Sequence, residues 1–130
     1  MQRLGPVVAR SIQSLGARLV RSAWHDPSKV TPEVEAGYRK PLQVENWDRA
    51  LWELTRAGHA LNLGERLGEI QVPVLVFTGA EDQIVPAEQS VRLAQELPNA
   101  ELVVIPNCGH VPQEECPEQV LSAITWFLSR

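Results

Sequence analysis

VPVLVFTGAEDQIVP occupies residues 72–86. Its first seven residues are almost continuously apolar, rich in valine, and end at Gly79. Such a run suits a strand covered on both faces, as in a parallel sheet, rather than a half-solvated strand with alternating polarity. Pro73 has no N–H for a ladder bond, so it must stand at the strand's start. A second apolar run, ELVVI, follows at 101–105. Between the two, residues 87–97 carry Val91, Leu93, Ala94 and Leu97 at helical spacing and stop before Pro98-Asn99. Pro117 then opens a last helix whose apolar face is Val120, Leu121, Ile124, Phe127 and Leu128. The order strand, helix, strand, helix predicts an α/β fold: a βαβ unit with a right-handed crossover, closed by a packing helix. Stable parallel sheets usually have more than two strands and are covered on both faces, so the pattern reads as part of a fold.

The 130 residues, 44% of them apolar, are enough for one domain with a core. A net charge of -4 gives no reason to expect a nucleic-acid partner. The charge is uneven: residues 1–60 hold nine Lys/Arg and six acids, residues 61–130 three and ten. No apolar run approaches the roughly 20 residues of a membrane span. Cys108 and Cys116 do not amount to a disulfide framework. No CxxC or His-x-x-x-His spacing points to structural zinc, and nothing in the sequence supports a zinc site from His25, His59 and Glu114. The first 25 residues contain Arg3, Arg10, Arg18 and Arg21, several serines and no acid. That composition fits an organelle transit peptide as well as an amphipathic helix. The compartment is otherwise cytoplasmic by default.

The N-terminal half reads as helical. Val8, Ile12, Leu15, Leu19 and Ala23 form one stripe at steps of four, three, four and four. Residues 24–45 contain three prolines and predict a loop, with a short helix after Thr31 that has Pro32 at its first position. Asn46 is placed to cap a helix over 47–57 with the apolar face Trp47, Ala50, Leu51, Leu54 and Ala57. Residues 58–71 read as a connector. The chain therefore divides into a helical segment, 1–65, and an α/β segment, 66–130.

Both strand ends run into turn-rich loops, GAEDQIVP at 79–86 and PNCGHVPQEE at 106–115. In a parallel pair the carboxyl ends of the strands share one edge, and ligands bind along it. Asp82 and His110 can therefore meet there. A carboxylate bonded to one imidazole nitrogen fixes the tautomer and leaves the other nitrogen free to take a proton. Taken singly, Asp82 also suits an Asx turn and His110 a corner hydrogen bond. Cys108 lies too close in sequence to His110 to be a good thiol nucleophile and reads as a half-buried structural thiol. Glu114 and Glu115 read as a solvated turn and a helix-start charge. His25 and His59 read as surface or cap residues. Trp24, Trp47 and Trp52 suit core packing or the lining of an apolar pocket.

Residues 70–130 resemble the C-terminal end of an α/β-hydrolase. The resemblance lies in VPVLVFTGAEDQIVP, the last-but-one strand with its acid loop, and in ELVVIPNCGHVPQEECPEQVLSAITWFL, the last strand, histidine loop and closing helix. It implies Asp82 as the triad acid and His110 as the base, and it makes residues 1–60 similar to the helical cap of such enzymes. No metal or organic cofactor is implied. The family's nucleophile sits on a G-x-S-x-G turn or an aspartate variant, and no such motif occurs here. Ser11, Ser14 and Ser22 fall in the helical stripe. The expectation is a C-terminal fragment, inert alone, of an enzyme that cleaves an ester, epoxide or related bond in a small apolar substrate. The alternative is a non-catalytic binding module that self-associates through an exposed strand edge.

Overall fold

Val74–Gly79 and Ala100–Ile105 form the two strands, β1 and β2. The computed structural model describes Gly16, residues 18–57 and residues 63–130. Among these, two compact units separate: one holds residues up to 21 together with 30–57, the other residues 22–29 and 63–130.

In the first unit residues 18–21 are helical. Leu19 of the expected stripe is 53% exposed, and Val8, Ile12 and Leu15 lie outside the described residues. The helix α1 spans Pro32–Arg39, with Pro32 in its first turn and the Thr31 hydroxyl accepting from Val34 N at 3.3 Å. The hydroxyl satisfies one of the N–H groups that a helix start leaves without an intrahelical partner. A short 3-10 helix, Lys40–Gln43, leads towards α2, Trp47–Ala57. Asn46 precedes α2 in the left-handed region, at φ 60°, and its carbonyl accepts from Ala50 N at 3.0 Å. Trp47, Leu51 and Trp52 are half-buried, whereas Ala50, Leu54 and Ala57 are exposed, so the inward face of α2 is narrower than its apolar spacing predicts.

The second unit carries the sheet. β1 and β2 pair in parallel, from Val74 opposite Ala100 to Gly79 opposite Ile105. Pro73 stands just before β1, where no ladder donor is needed. The connection is the helix α3, Ala87–Glu96, which packs on both strands. A four-residue helix, α4 (Pro112–Glu115), follows β2 and leads into α5, Pro117–Leu128. The core joins Ile105, Cys108, Cys116 and Val120, with Phe77, Val103 and Ile124 against it. On α5, Val120 and Ala123 are buried, but Leu121 and Leu128 are 65% and 75% exposed. Leu93 of α3 is likewise exposed. Two strands offer too little surface to bury every apolar residue of two helices. The expected connector at 58–71 contains a 3-10 helix, Leu63–Glu69.

Two readings, of Cys108 and of Glu115, are corrected here. Cys108 and Cys116 are joined in a disulfide, and Cys108 is fully buried, so it is not a half-buried thiol. Glu115 is not a solvated helix-start charge; it is only 5% exposed. Trp24 belongs to the sheet-bearing unit and is 7% exposed. Among the described residues no helix is long and apolar enough to cross a membrane.

Candidate active site

The loops after β1 and β2 are held to each other by backbone and side chain. Ala80 N donates to Ile105 O at 2.9 Å, which continues the ladder one step beyond the strands. Glu81 then bonds Cys108 twice: its N–H donates to the Cys108 carbonyl at 3.0 Å, and its carboxylate accepts from Cys108 N at 2.9 Å. A Cβ on Gly79 would run into the carbonyl oxygens of Cys108 and Gly109, so only glycine lets the loops approach this closely. Asn107 makes the turn out of β2 at φ 55°, in the left-handed region that asparagine tolerates better than most residues.

This scaffold brings Asp82 and His110 together. His110 Nδ1 lies 2.9 Å from Asp82 Oδ2. The other carboxylate oxygen, Oδ1, accepts from Ile84 N at 2.8 Å and Val85 N at 2.9 Å. The Asx turn and the imidazole contact are thus two halves of one arrangement. The carboxylate side chain is 6% exposed and the imidazole 36%. Burial is the largest single influence on the Asp82 carboxyl and opposes its ionisation. Hydrogen bonds from His110, Val85 and Ile84 together outweigh it and hold the group below the usual carboxylate range. An ionised carboxylate only accepts, so the bonded ring nitrogen, Nδ1, must carry the proton. Nε2 is then the basic nitrogen of the neutral ring.

Sequence reasoning missed a second carboxylate at this corner. Glu115, at the end of α4, accepts from three backbone N–H groups: Asp26 at 2.7 Å on Oε1, and His25 at 3.0 Å and Gly109 at 2.7 Å on Oε2. Burial again opposes ionisation most strongly, and the three N–H groups with Lys29 more than offset it, leaving this carboxyl below its usual range. Lys29 Nζ also reaches the Glu115 carbonyl at 3.4 Å. No local signal marks Glu115, because two of its three donors lie 89 and 90 positions away.

His25 is exposed, and its N–H, rather than its ring, faces Glu115. His59, Ser11 and Ser14 lie outside the described residues. Cys108, Glu115 and Cys116 form one close group of metal-ligating residue types. The two sulfurs are bonded to each other and the carboxylate is occupied by N–H donors, so this group offers no free ligand set.

An acid and a histidine paired at the carboxyl ends of two parallel strands define a chain of the α/β-hydrolase class. The model of the alpha/beta hydrolase family matches residues 2–123, and the chain belongs to that family. It is 35% identical over 104 residues to the uncharacterized hydrolase YugF of Bacillus subtilis (strain 168), covering 80% of this chain and 38% of that protein. It is 42% identical over 67 residues to a 2-hydroxy-6-oxononadienedioate/2-hydroxy-6-oxononatrienedioate hydrolase of Burkholderia vietnamiensis (strain G4 / LMG 22486), covering 52% and 23%. Among solved structures, a thermophilic esterase from Thermogutta terrifontis gives a TM-score of 0.75 at 26% identity, over 98% of this chain and 47% of that one. The chain spans less than half the length of each of these proteins.

Proposed function

We propose that Asp82 and His110 are the acid and base of a hydrolase triad, and that this chain is the C-terminal part of the enzyme that uses it. The observation that carries the reading is the 2.9 Å contact between Nδ1 and Oδ2 beyond the two strand ends. In this reading Nε2 takes the proton of a nucleophile as it attacks an electrophilic carbon. Asp82 stabilises the imidazolium that results, and Nε2 returns the proton to the leaving group. The substrate class is a small molecule with a cleavable carbonyl-linked bond. Esters, and the 2-hydroxy-6-oxo acids for which relatives are named, both qualify. An epoxide would fit an aspartate nucleophile, with Nε2 taking the proton of the water that then hydrolyses the covalent ester rather than a proton from the nucleophile.

The nucleophile and the oxyanion donors are expected from a G-x-S-x-G turn or its equivalent, a motif that this sequence does not contain. The chain alone is therefore expected to be inert. The test joins this chain to the part of YugF that it does not match, with intact YugF as control, and follows p-nitrophenyl ester hydrolysis. The expected result is turnover by the fusion, loss of at least about 10³-fold on His110→Ala, and no turnover by the chain alone. A folded fusion that stays inactive while YugF turns over would count against the assignment. So would turnover that His110→Ala leaves unchanged.

A second reading, a self-associating module, draws on the exposed apolar residues Val104, Leu121, Trp126 and Leu128 around β2 and α5. Sedimentation velocity separates the two: the module predicts a concentration-dependent dimer, whereas the triad reading needs none.

A further inference from the structure

Three consecutive backbone N–H groups lead up to the His110 ring, and each has a different partner. Cys108 N donates to the Glu81 carboxylate, Gly109 N to the Glu115 carboxylate, and His110 N to the Ala23 carbonyl at 2.7 Å. Glu115 is the member that joins the other side of this corner to the chain. It holds His25 and Asp26, two and three residues after Ala23, whose carbonyl accepts from His110 N. Resting on the reading of Asp82 and His110 given above, we infer that Glu115 is a positioning residue for His110: its buried carboxylate aligns residues 23–26 against 109–110 and so aims Nδ1 at Asp82.

The geometry calls for a carboxylate and not an amide. Oε1 faces one N–H and Oε2 faces two. A glutamine has one oxygen, so either orientation turns an NH2 against at least one backbone donor. The corner then has to open. A hydrogen bond between ring and carboxylate survives only small errors in ring placement, on the order of 0.5 Å or 10–20°. The hydrogen bonds of the Glu115 carboxylate run to backbone N–H groups, so its influence is carried by the backbone of Gly109 and His110.

The test reads the imidazole in this chain as it exists, without requiring turnover. Long-range ¹⁵N–¹H spectra at about pH 9, where a histidine of ordinary pKa is neutral, distinguish the Nδ1–H from the Nε2–H tautomer. Wild type is expected to show His110 as Nδ1–H. In Glu115→Gln the tautomer ratio is expected to shift about tenfold towards Nε2–H, the effect of losing one net hydrogen bond. A folded Glu115→Gln with the wild-type tautomer would overturn the inference, since a group that only adds stability would leave the ring unmoved. If wild type itself lacks the Nδ1–H form, the Asp82–His110 pairing fails instead, and with it the proposed triad.

Where Glu115→Gln does not fold, acid titration of wild-type amide shifts decides. The N–H signals of His25, Asp26, Gly109 and His110 are expected to move together, with one midpoint below the ordinary glutamate range. The neighbouring titratable groups, Asp26, Lys29, Glu81, Asp82 and the His25 and His110 rings, have their own reporters in the same spectra. Independent midpoints for the four amides would refute the alignment.

Discussion

Gly109→Ala tests whether the histidine corner depends on the close passage of residues 23–25. An alanine Cβ at this position would lie 2.6 Å from the Ala23 carbonyl oxygen and 2.7 Å from His25 N. Both neighbours are backbone, so neither rotates aside. Restoring an ordinary contact of about 3.4 Å moves the segment by about 0.8 Å, more than a close-packed interior absorbs without loss. The His110 N to Ala23 O bond then stretches from 2.7 Å to the limit of hydrogen bonding. The bonds from His25 and Asp26 to the Glu115 carboxylate are strained in the same movement. A neutral bond contributes about 1 kcal/mol and a bond to a charged group about 1.5–3 kcal/mol. Alanine returns about 0.4–1 kcal/mol by stiffening the unfolded chain. The net expectation is destabilisation by about 2–4 kcal/mol, a large share of the usual 5–15 kcal/mol of a domain. Urea unfolding followed by tryptophan fluorescence measures it, with Trp24 buried beside the perturbed segment as a local reporter. A change below about 0.5 kcal/mol, typical of uninvolved surface sites, with wild-type emission, would refute the reasoning.

Asp82→Asn keeps an oxygen for the Ile84 and Val85 N–H groups but turns an NH2 towards Nδ1. Stability at neutral pH is expected to fall, because the charge-assisted bond to Nδ1 is lost, while kcat of the YugF fusion falls about 10³–10⁴-fold; steady-state kinetics beside urea unfolding check both halves. Asp82 and Glu115 both have folded pKa values below their unfolded ones, so the unfolded chain binds their protons more tightly. Their stabilisation is complete above the unfolded values, about pH 4–4.5, and is lost as pH falls through the folded values. Thermal unfolding from pH 7 to 3 should show Tm falling at the acid end, with a shallower fall in a folded Glu115→Gln. Reduction of Cys108–Cys116 opens a loop of sequence separation 8 and is expected to lower stability by about 2.5 kcal/mol. Equal urea midpoints with and without reductant would show that the crosslink contributes nothing.

What the sequence reveals here is what depends on neighbours along the chain. The apolar runs at 72–78 and 101–105 become β1 and β2, because continuous valine-rich segments ending in glycine or proline have few other uses. Thr31 and Pro32 start α1 as their types predict. Asp82 and His110 are visible because each follows a strand by a few residues and parallel pairing brings strand ends together. Glu115 looks like an ordinary helix-start acid, since its donors at 25 and 26 come near only through tertiary structure. The Cys108–Cys116 bond is hidden for a related reason: the short helix α4 sets the distance between them. Periodicity also overstates burial at Leu54, Leu93, Leu121 and Leu128, because spacing gives a helix face but not how much surface lies opposite it.

The corner around His110 is closed by bonds that span up to 90 positions of sequence. During synthesis, Ala23, His25 and Asp26 leave the ribosome long before Glu115 and cannot be clasped until residue 115 has emerged. Contacts of such long range are slow to form, because the closure entropy comes before the bonds that offset it. A nascent or prematurely terminated chain that stops short of residue 115 therefore lacks the carboxylate that joins Gly109 to His25 and Asp26, even with β1, β2 and the Asp82 turn in place. The clasp around His110 can close only after residue 115 has been made.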